Sequence, residues 1–487
     1  MDVDANVVET DEYPLIDDYL GKGVEFVEGS SGVKGRLKQS ISYWESTICA
    51  PKFVLGLIAE GYRLPFVRCP DKCYLRSNRS AVRHSQFVQE AISRLLLNDC
   101  IQEHYEPPYC VNPLSVAEGK KLRLVIDLRH VNPCLFKHSF RYEDLHCLSK
   151  VFEQNFWFFT WDLESGYHHI DIYSEHQTFL GFAWPFCGKL RYFSFKVLPF
   201  GLSSACFCFT KVLRPLVKRW RSMSHCCFVF LDDGISGHPD RVSASAASLL
   251  HQKDLKLGGL KLNREKSMLE PMQVGQWLGF VIDTIKMQFR VPPQKIDKLK
   301  SNLDSMISSG SATFRGLAQV AGFINSLYLA VGPIARLFTR QMHATIQARS
   351  FWDCSFSLSR PLQEELRFWF ANIEAFNGYG IQPKFTPGAV VFCDASDYAF
   401  GGFQIRLNDQ PLSGMFSHFE SQQSSTFREP KAIFYVIKAH VAALRHKKVK
   451  VFTDNDNASG IVSLGSPKQH LQCLALDIFQ LWLVNDI

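Results

Sequence analysis

The sequence predicts a multidomain α+β protein, and three observations carry that expectation. At 487 residues the chain exceeds what one ordinary hydrophobic core organises, so two to four domains are expected. A hydrophobic content of 46%, with 40 Phe and 9 Trp, fills globular interiors and excludes a disordered chain. Short apolar runs bounded by turn residues alternate with stretches of helical periodicity.

Taken in order, residues 1–35 combine acidity with Gly and Ser and predict a flexible leader. Within 1–28, nine acidic side chains face Lys22 alone, which leaves 53 basic against 38 acidic residues on the remainder. That excess suits a polyanionic partner such as nucleic acid. Residues 36–97 read as a helical N-terminal region. Leu37–Leu64 has helical spacing broken at Pro51 and stopped by Gly61, and 80–99 is a further helix behind a Ser cap. Residues 98–284 then mix strands and helices. "CVNPLSVAEGKKLRLVIDLRHVN" predicts a hairpin around Glu118-Gly119 with a basic tip, while "WFFTWDLESGYHHIDI", "LRYFSFKVLPFGL" and "FVFLDDGISG" read as strands. "SSACFCFTKVLRPLVKRW" and "VSASAASLLHQKDLKLGGL" are helical. After Pro292-Pro293 helical patterning runs to about residue 375, within a segment bounded at 285–385. The last segment, 386–487, opens with strand-like "GAVVFCDASDYAFGGFQI", followed by the helix "STFREPKAIFYVIKAHVAALR" and the strand "KVKVFTDN".

The fifteen Cys show no repeated spacing, and Cys69 and Cys73 have no matching Cys or His pair at zinc-site spacing nearby. Reduced, packing cysteines of an intracellular protein, cytoplasmic or nuclear, are the expectation. The acidic N-terminus lacks the pattern of a secretory signal, and no eighteen-residue apolar run predicts a membrane span.

Chemistry concentrates where apolar strands end in carboxylates. In "HCCFVFLDDGISG" a strand runs into Asp232 and Asp233, then Gly234. Asp-Gly is an ordinary hairpin signal. Two adjacent carboxylates also repel, and burying them is costly unless a cation offsets the charge. A second such strand, "NFWFFTWDLESGYHHI", ends in Asp162 about 70 residues earlier. Side by side, the two strands could hold two Mg²⁺ (or Mn²⁺) ions, a phosphoryl-transfer arrangement. A second carboxylate set comprises Asp394 at a strand end, Glu429 at a helix start and Asp454 at another strand end. Each alone could be a cap or turn residue; together they could bind two metals and direct water at an RNA phosphate.

Five motifs in order across 120–282 resemble the reverse transcriptase family: "LRLVIDLRHVN", "FTWDLESGYHHI", "LPFGLSSACFCF", "FLDD" and "WLGFVI". "SYWESTICAPKFVLGLIAEGYRLPF" and the downstream "DAS…GG" resemble the DIRS-type, tyrosine-recombinase-encoding retrotransposons. The resemblance implies a right-hand polymerase (fingers, palm, thumb-like segment) followed by a ribonuclease H-like α/β domain. It implies metal binding by Asp162, Asp232 and Asp233, with the Leu163 carbonyl helping. Lys121 and Arg123 would grip the incoming triphosphate, and Lys266 would stand near the leaving pyrophosphate. Tyr167 would be the steric gate favouring deoxynucleotides, and Phe200-Gly201 the floor near the nascent base pair. Trp277, Leu278 and Gly279 would align the primer, while Asp127 and Arg129 pair structurally. "FLDD" stands where retroviral enzymes usually carry Tyr-x-Asp-Asp, so Phe230 is expected to keep the packing role without the hydroxyl. Implied partners are an RNA template, a DNA primer, the RNA–DNA hybrid and deoxynucleoside triphosphates.

For Asp394, Glu429 and Asp454 the resemblance implies a ribonuclease H. The family's fourth acid follows one further helix, whereas this sequence stops at Ile487 and its Asp477 and Asp486 come too early. A C-terminally truncated nuclease, in a fragment of a longer polyprotein or a degraded element, is therefore the expectation. A catalytically inert relic that binds nucleic acid, and a polymerase making RNA, are the competing readings; Tyr167 discriminates the latter.

Overall fold

The computed structural model describes residues 32–119, 121–186, 188–381, 387–405 and 411–487. The expected acidic leader falls almost wholly outside them. The chain forms two compact units: one takes residues up to 141 with 161–224 and 249–267, the other 142–160, 225–248 and 268–487.

In the first unit the expected N-terminal helices are Arg36–Gln39, Ile41–Ser46 and Lys52–Glu60, the last ending at Gly61. Next come Arg79–Arg83 and Ser85–Leu97. A five-stranded sheet runs in the order Cys73–Tyr74, Cys110–Asn112, Gly181–Phe186, Lys189–Phe195, Ile101–His104. The expected hairpin is present as Leu114–Ala117 paired antiparallel with Arg123–Ile126. Ahead of it, Cys110–Asn112 departs to pair in parallel with both of its own neighbours. The helix Ala205–Ser222 buries Phe209, Leu213, Leu216 and Trp220 along one face. Asp254, 1% exposed, ties the N-terminal helices down: it accepts from Tyr43 (2.6 Å), Trp220 (2.9 Å) and Arg219 (3.3 Å). A buried carboxylate with three donors is one whose desolvation is offset.

The second unit holds a four-stranded sheet in the order Met268–Met272, Trp157–Asp162, Asp233–His238, Cys226–Phe230; the strand Trp157–Asp162 leaves this unit after Thr160. A second sheet joins Val274–Trp277, Phe280–Asp283, Gln288–Arg290 and Tyr379–Gly380. Helices Pro293–Ser309, Phe314–Ser326, Arg340–Gln347 and Arg360–Asn372 follow. Phe158, Phe228, Ile235, Trp277, Leu299, Leu317 and Trp369 share one core that joins these sheets to the helices. Inside the stretch expected to be wholly helical, Ser311–Thr313 pairs with Ser355–Ser357. Three-residue strands carry too little periodicity to be read from sequence.

The remainder of the second unit is a mixed sheet ordered Leu412–Met415, Ala389–Ile405 as two strands, then Val449–Phe452. Ala389–Ala395 pairs antiparallel with Ala399–Ile405 and parallel with Val449–Phe452. The helix Ser425–Ala439 packs on it through Ile433, Val436 and Ile437. Gln469–Asn485 closes a neighbouring cluster through Leu471, Leu474 and Ile478, which also takes in Leu337. Gln472 bridges Ser466 and Leu337 with two 2.9 Å hydrogen bonds.

Candidate active sites

Asp162 is the last residue of its strand and 7% exposed. Its backbone is pinned by 261–267: its N–H donates to Ser267 Oγ (3.0 Å), its carbonyl accepts from Asn263 (2.8 Å), and Ser267 Oγ donates on to the Asn263 carbonyl (2.7 Å). Leu163, 1% exposed, bridges Leu262. The Asp162 carboxylate is answered by the Lys266 ammonium, 3.2 and 3.3 Å from its two oxygens. A nearly buried carboxylate requires such a positive charge. Lys266 itself is 64% exposed at its side chain and can therefore swing off. Ser267 carries no motif signal; only the paired backbone reveals it.

Asp232 and Asp233 occupy a tight hairpin. Phe230 pairs with Asp233, so Leu231 and Asp232 are the two turn residues, and Leu231 takes a φ of 54°. The turn and metal readings of this sequence thus concern the same backbone. Positive φ in a branched apolar residue is uncommon and is held only where surrounding structure enforces it. Here five ladder pairs from Phe230↔Asp233 to Cys226↔Gly237 do so. Phe230 packs against Tyr142, ring centroids 4.7 Å apart, in keeping with its expected packing role.

In the first unit, Tyr167 lies in the short helix Gly166–His169; its ring is 5.3 Å from Phe200, and its hydroxyl is 2.9 Å from Cys206 Sγ. Phe200 is 46% exposed. Gly201 adopts φ 114°, and a Cβ there would stand 1.9 Å from the Ile126 carbonyl, so no other residue fits. Asn132 clamps this loop, donating to the Gly201 carbonyl (2.9 Å) and accepting from the Ser203 N–H (3.0 Å). Lys121 and Arg123 are exposed, Arg123 opening the strand Arg123–Ile126. Asp127 and Arg129 pair as expected, with Nε 2.8 Å from Oδ1, and Asn78 adds a 2.9 Å bond. The Arg129 guanidinium holds the Asp127 carboxyl at about 2.

Trp277, 4% exposed, precedes a two-residue turn in which Leu278 (φ 45°) and Gly279 (φ 78°) are both left-handed, the pattern that matches strand twist in tight hairpins. Lys295 donates to the Gly279 carbonyl at 2.7 Å.

The second carboxylate set converges within the second unit. Oxygens of Asp394, Glu429 and Asp454 lie within 4.8 Å of one another. Asp394 is near the end of Ala389–Ala395, Glu429 is on the first turns of Ser425–Ala439, and Asp454 lies two residues beyond Val449–Phe452. Glu429 is 5% exposed, while the other two are open to solvent. Burial, then the charges of Asp454 and Asp394, push the Glu429 carboxyl above its ordinary value, against a hydrogen bond from Thr453 (3.4 Å). Three oxygen ligands that repel one another suit a hard divalent cation. Asp486, at the C-cap of Gln469–Asn485, is engaged by His446 at 2.9 Å.

The reverse transcriptase (RNA-dependent DNA polymerase) family matches residues 117–282, so the chain carries a reverse transcriptase domain. The chain is 23% identical over 405 residues to the retrovirus-related Pol polyprotein from transposon opus of Drosophila melanogaster, covering 79% of this chain and 39% of that protein. It is 26% identical over 404 residues to the corresponding polyprotein from transposon 297 of the same organism, covering 79% and 35%. It thus spans about two-fifths of the length of these relatives. Among solved structures, the foamy viral protease-reverse transcriptase in complex with RNA/DNA hybrid aligns with a TM-score of 0.55 at 15% identity, over 94% of this chain and 63% of that one. The same viral protein bound to dsDNA gives 0.54 at 15% identity, over 93% and 94%. The fold is therefore that of the right-hand polymerases.

Proposed function

We propose that the chain is an RNA-directed DNA polymerase of a retrotransposon, of the DIRS type, with an attached ribonuclease H. The observation that carries this reading is that the strand Trp157–Asp162, whose residues to Thr160 lie in the second unit, is the sheet neighbour of Asp233–His238. Asp162, Asp232 and Asp233, with the Leu163 carbonyl, would hold two Mg²⁺ ions, whose chemistry there would be charge neutralisation for attack of a primer 3′-hydroxyl and departure of pyrophosphate. Lys266 neutralises Asp162 between turnovers and turns toward the leaving group. Lys121 and Arg123 grip the triphosphate, Tyr167 and Phe200-Gly201 bound the sugar and base, and Trp277, Leu278 and Gly279 seat the primer. Asp394, Glu429 and Asp454 would hold divalent ions, whose chemistry there would be activation of water toward RNA in the hybrid. The fourteen described cysteines are all free thiols, which supports a reducing compartment. Among the described residues no helix is long and apolar enough to cross a membrane.

The test is extension of a DNA primer on an RNA template by the purified chain with Mg²⁺. Asp232→Asn is expected to lower the rate by about 10³-fold or more, because a neutral amide cannot balance the metal charge. Extension unchanged in that variant overturns the assignment of Asp232. A folded wild-type chain that binds hybrid but extends nothing favours the inert-relic reading instead.

A further inference from the structure

We propose that Cys69, Cys73, Cys110 and His130 bind one structural zinc ion in the first unit, a site separate from both carboxylate sets. In the sequence Cys69 and Cys73 stand at the spacing of a zinc pair, but no second pair follows, because Cys110 and His130 come from separate segments. The fold assembles them. Cys73 opens the strand Cys73–Tyr74, which pairs in parallel with Cys110–Asn112 so that Cys73 and Cys110 are direct register partners on one face. His130 lies in the turn between Arg123–Ile126 and Asn132–Cys134. One ligand atom from each of Cys73, Cys110 and His130 falls within 4.8 Å of the other two. Tetrahedral zinc with bonds of about 2.0–2.3 Å places its ligands about 3.5–3.8 Å apart, a contraction of at most about an ångström.

Two further features fit. His130 Nε2 is 2.8 Å from the Asp71 carbonyl, the backbone bond by which metal-bound imidazoles are oriented, and it leaves the lone pair on Nδ1. Asp71 lies in the loop between Cys69 and Cys73, whose four-residue separation is within the range of paired zinc cysteines. Cys69 is exposed, its thiol 3.5 Å from the Pro70 carbonyl and outside the three-residue cluster, and it is the proposed fourth ligand, to be reached by rotation of that loop. Three thiolates and an imidazole select a borderline-soft ion rather than the hard Mg²⁺ of the carboxylate sites. With all four positions filled by protein the ion is structural, fastening the segment before Cys73 to the sheet and to the Asp127–Arg129 turn.

The experiment is metal analysis of the full-length chain purified under reducing conditions without chelator. One zinc per chain is expected, with thermal stability lowered when a strong zinc chelator removes it. Substituting Co²⁺ should give thiolate charge-transfer and intense tetrahedral ligand-field bands. His130→Gln, at a partly exposed turn position, should lose the metal and melt like the chelator-treated wild type, whereas His130→Cys should retain it with a shifted cobalt spectrum. Cys69→Ser should cut the thiolate charge-transfer intensity by about a third. Asp394→Asn should leave the zinc content unchanged. Absence of stoichiometric zinc, zinc that persists in His130→Gln, or a Cys73–Cys110 disulfide in place of metal would each overturn the proposal.

Discussion

Tyr167 has its meaning set by what surrounds it. A lone tyrosine after a strand is most often core, yet here the ring leans on the half-exposed Phe200 beside Gly201, where the backbone packs against Ile126 with no room for a side chain. Under the proposed function this ring lies below the sugar and excludes a 2′-hydroxyl. Tyr167→Ala is expected to raise ribonucleotide incorporation relative to deoxynucleotide by on the order of tenfold, read as the ratio of kcat/KM for the two sugars. An unchanged ratio removes the gate from Tyr167. The residues proposed to act directly were visible in sequence because two apolar strands end in Asp about 70 residues apart, within motifs that resemble a known family. Their supports, Ser267 behind Asp162 and Asn132 behind Gly201, were not, because a hydrogen bond over 69 or 105 residues leaves no local pattern.

Elements show the same division. Helices such as Ala205–Ser222 and Ser425–Ala439 were legible from apolar spacing, and Gly61 from its place as a stop signal. What caps them was not. Glu365, 7% exposed on Arg360–Asn372, accepts from the Gln341 (3.1 Å) and Met342 (2.9 Å) N–H groups at the start of Arg340–Gln347. Burial pushes its carboxyl up to about 7, against the pull of those N–H groups. A folded-state value above the unfolded one means the folded chain binds the proton more tightly. Its contribution to stability is therefore full below about 4.5 and lost as pH rises toward about 7. Comparing urea unfolding at pH 5 and pH 8, Glu365→Gln should remove a pH-dependent loss of order 3 kcal/mol present in the wild type. Parallel pH slopes in the two proteins would show that Glu365 is ionised throughout.

At the scale of the molecule, two carboxylate sets serve two proposed chemistries, and the second can be silenced alone. Asp394, Glu429 and Asp454 sit on a sheet and the helix packed against it, which share their own core around Val391, Ile433 and Val436. Glu429→Gln is expected to abolish cleavage of RNA in a hybrid while leaving primer extension within about twofold. Because burial and two neighbouring charges raise the Glu429 carboxyl, its ionisation costs stability as pH rises, so the same variant should melt higher at pH 8 without metal. Equal loss of both activities would mean that the domains do not act separately.

The order of strands and helices, the five polymerase motifs and both sets of acids were determined by the chain itself, since periodicity and turn chemistry act between residues close in sequence. Tertiary structure alone decided which strand lies beside which, that Lys266 faces Asp162, and that Cys73, Cys110 and His130 meet. Such meetings are fixed by sheet register and core packing, which sum weak contacts across the whole fold and leave no mark on any single stretch of sequence.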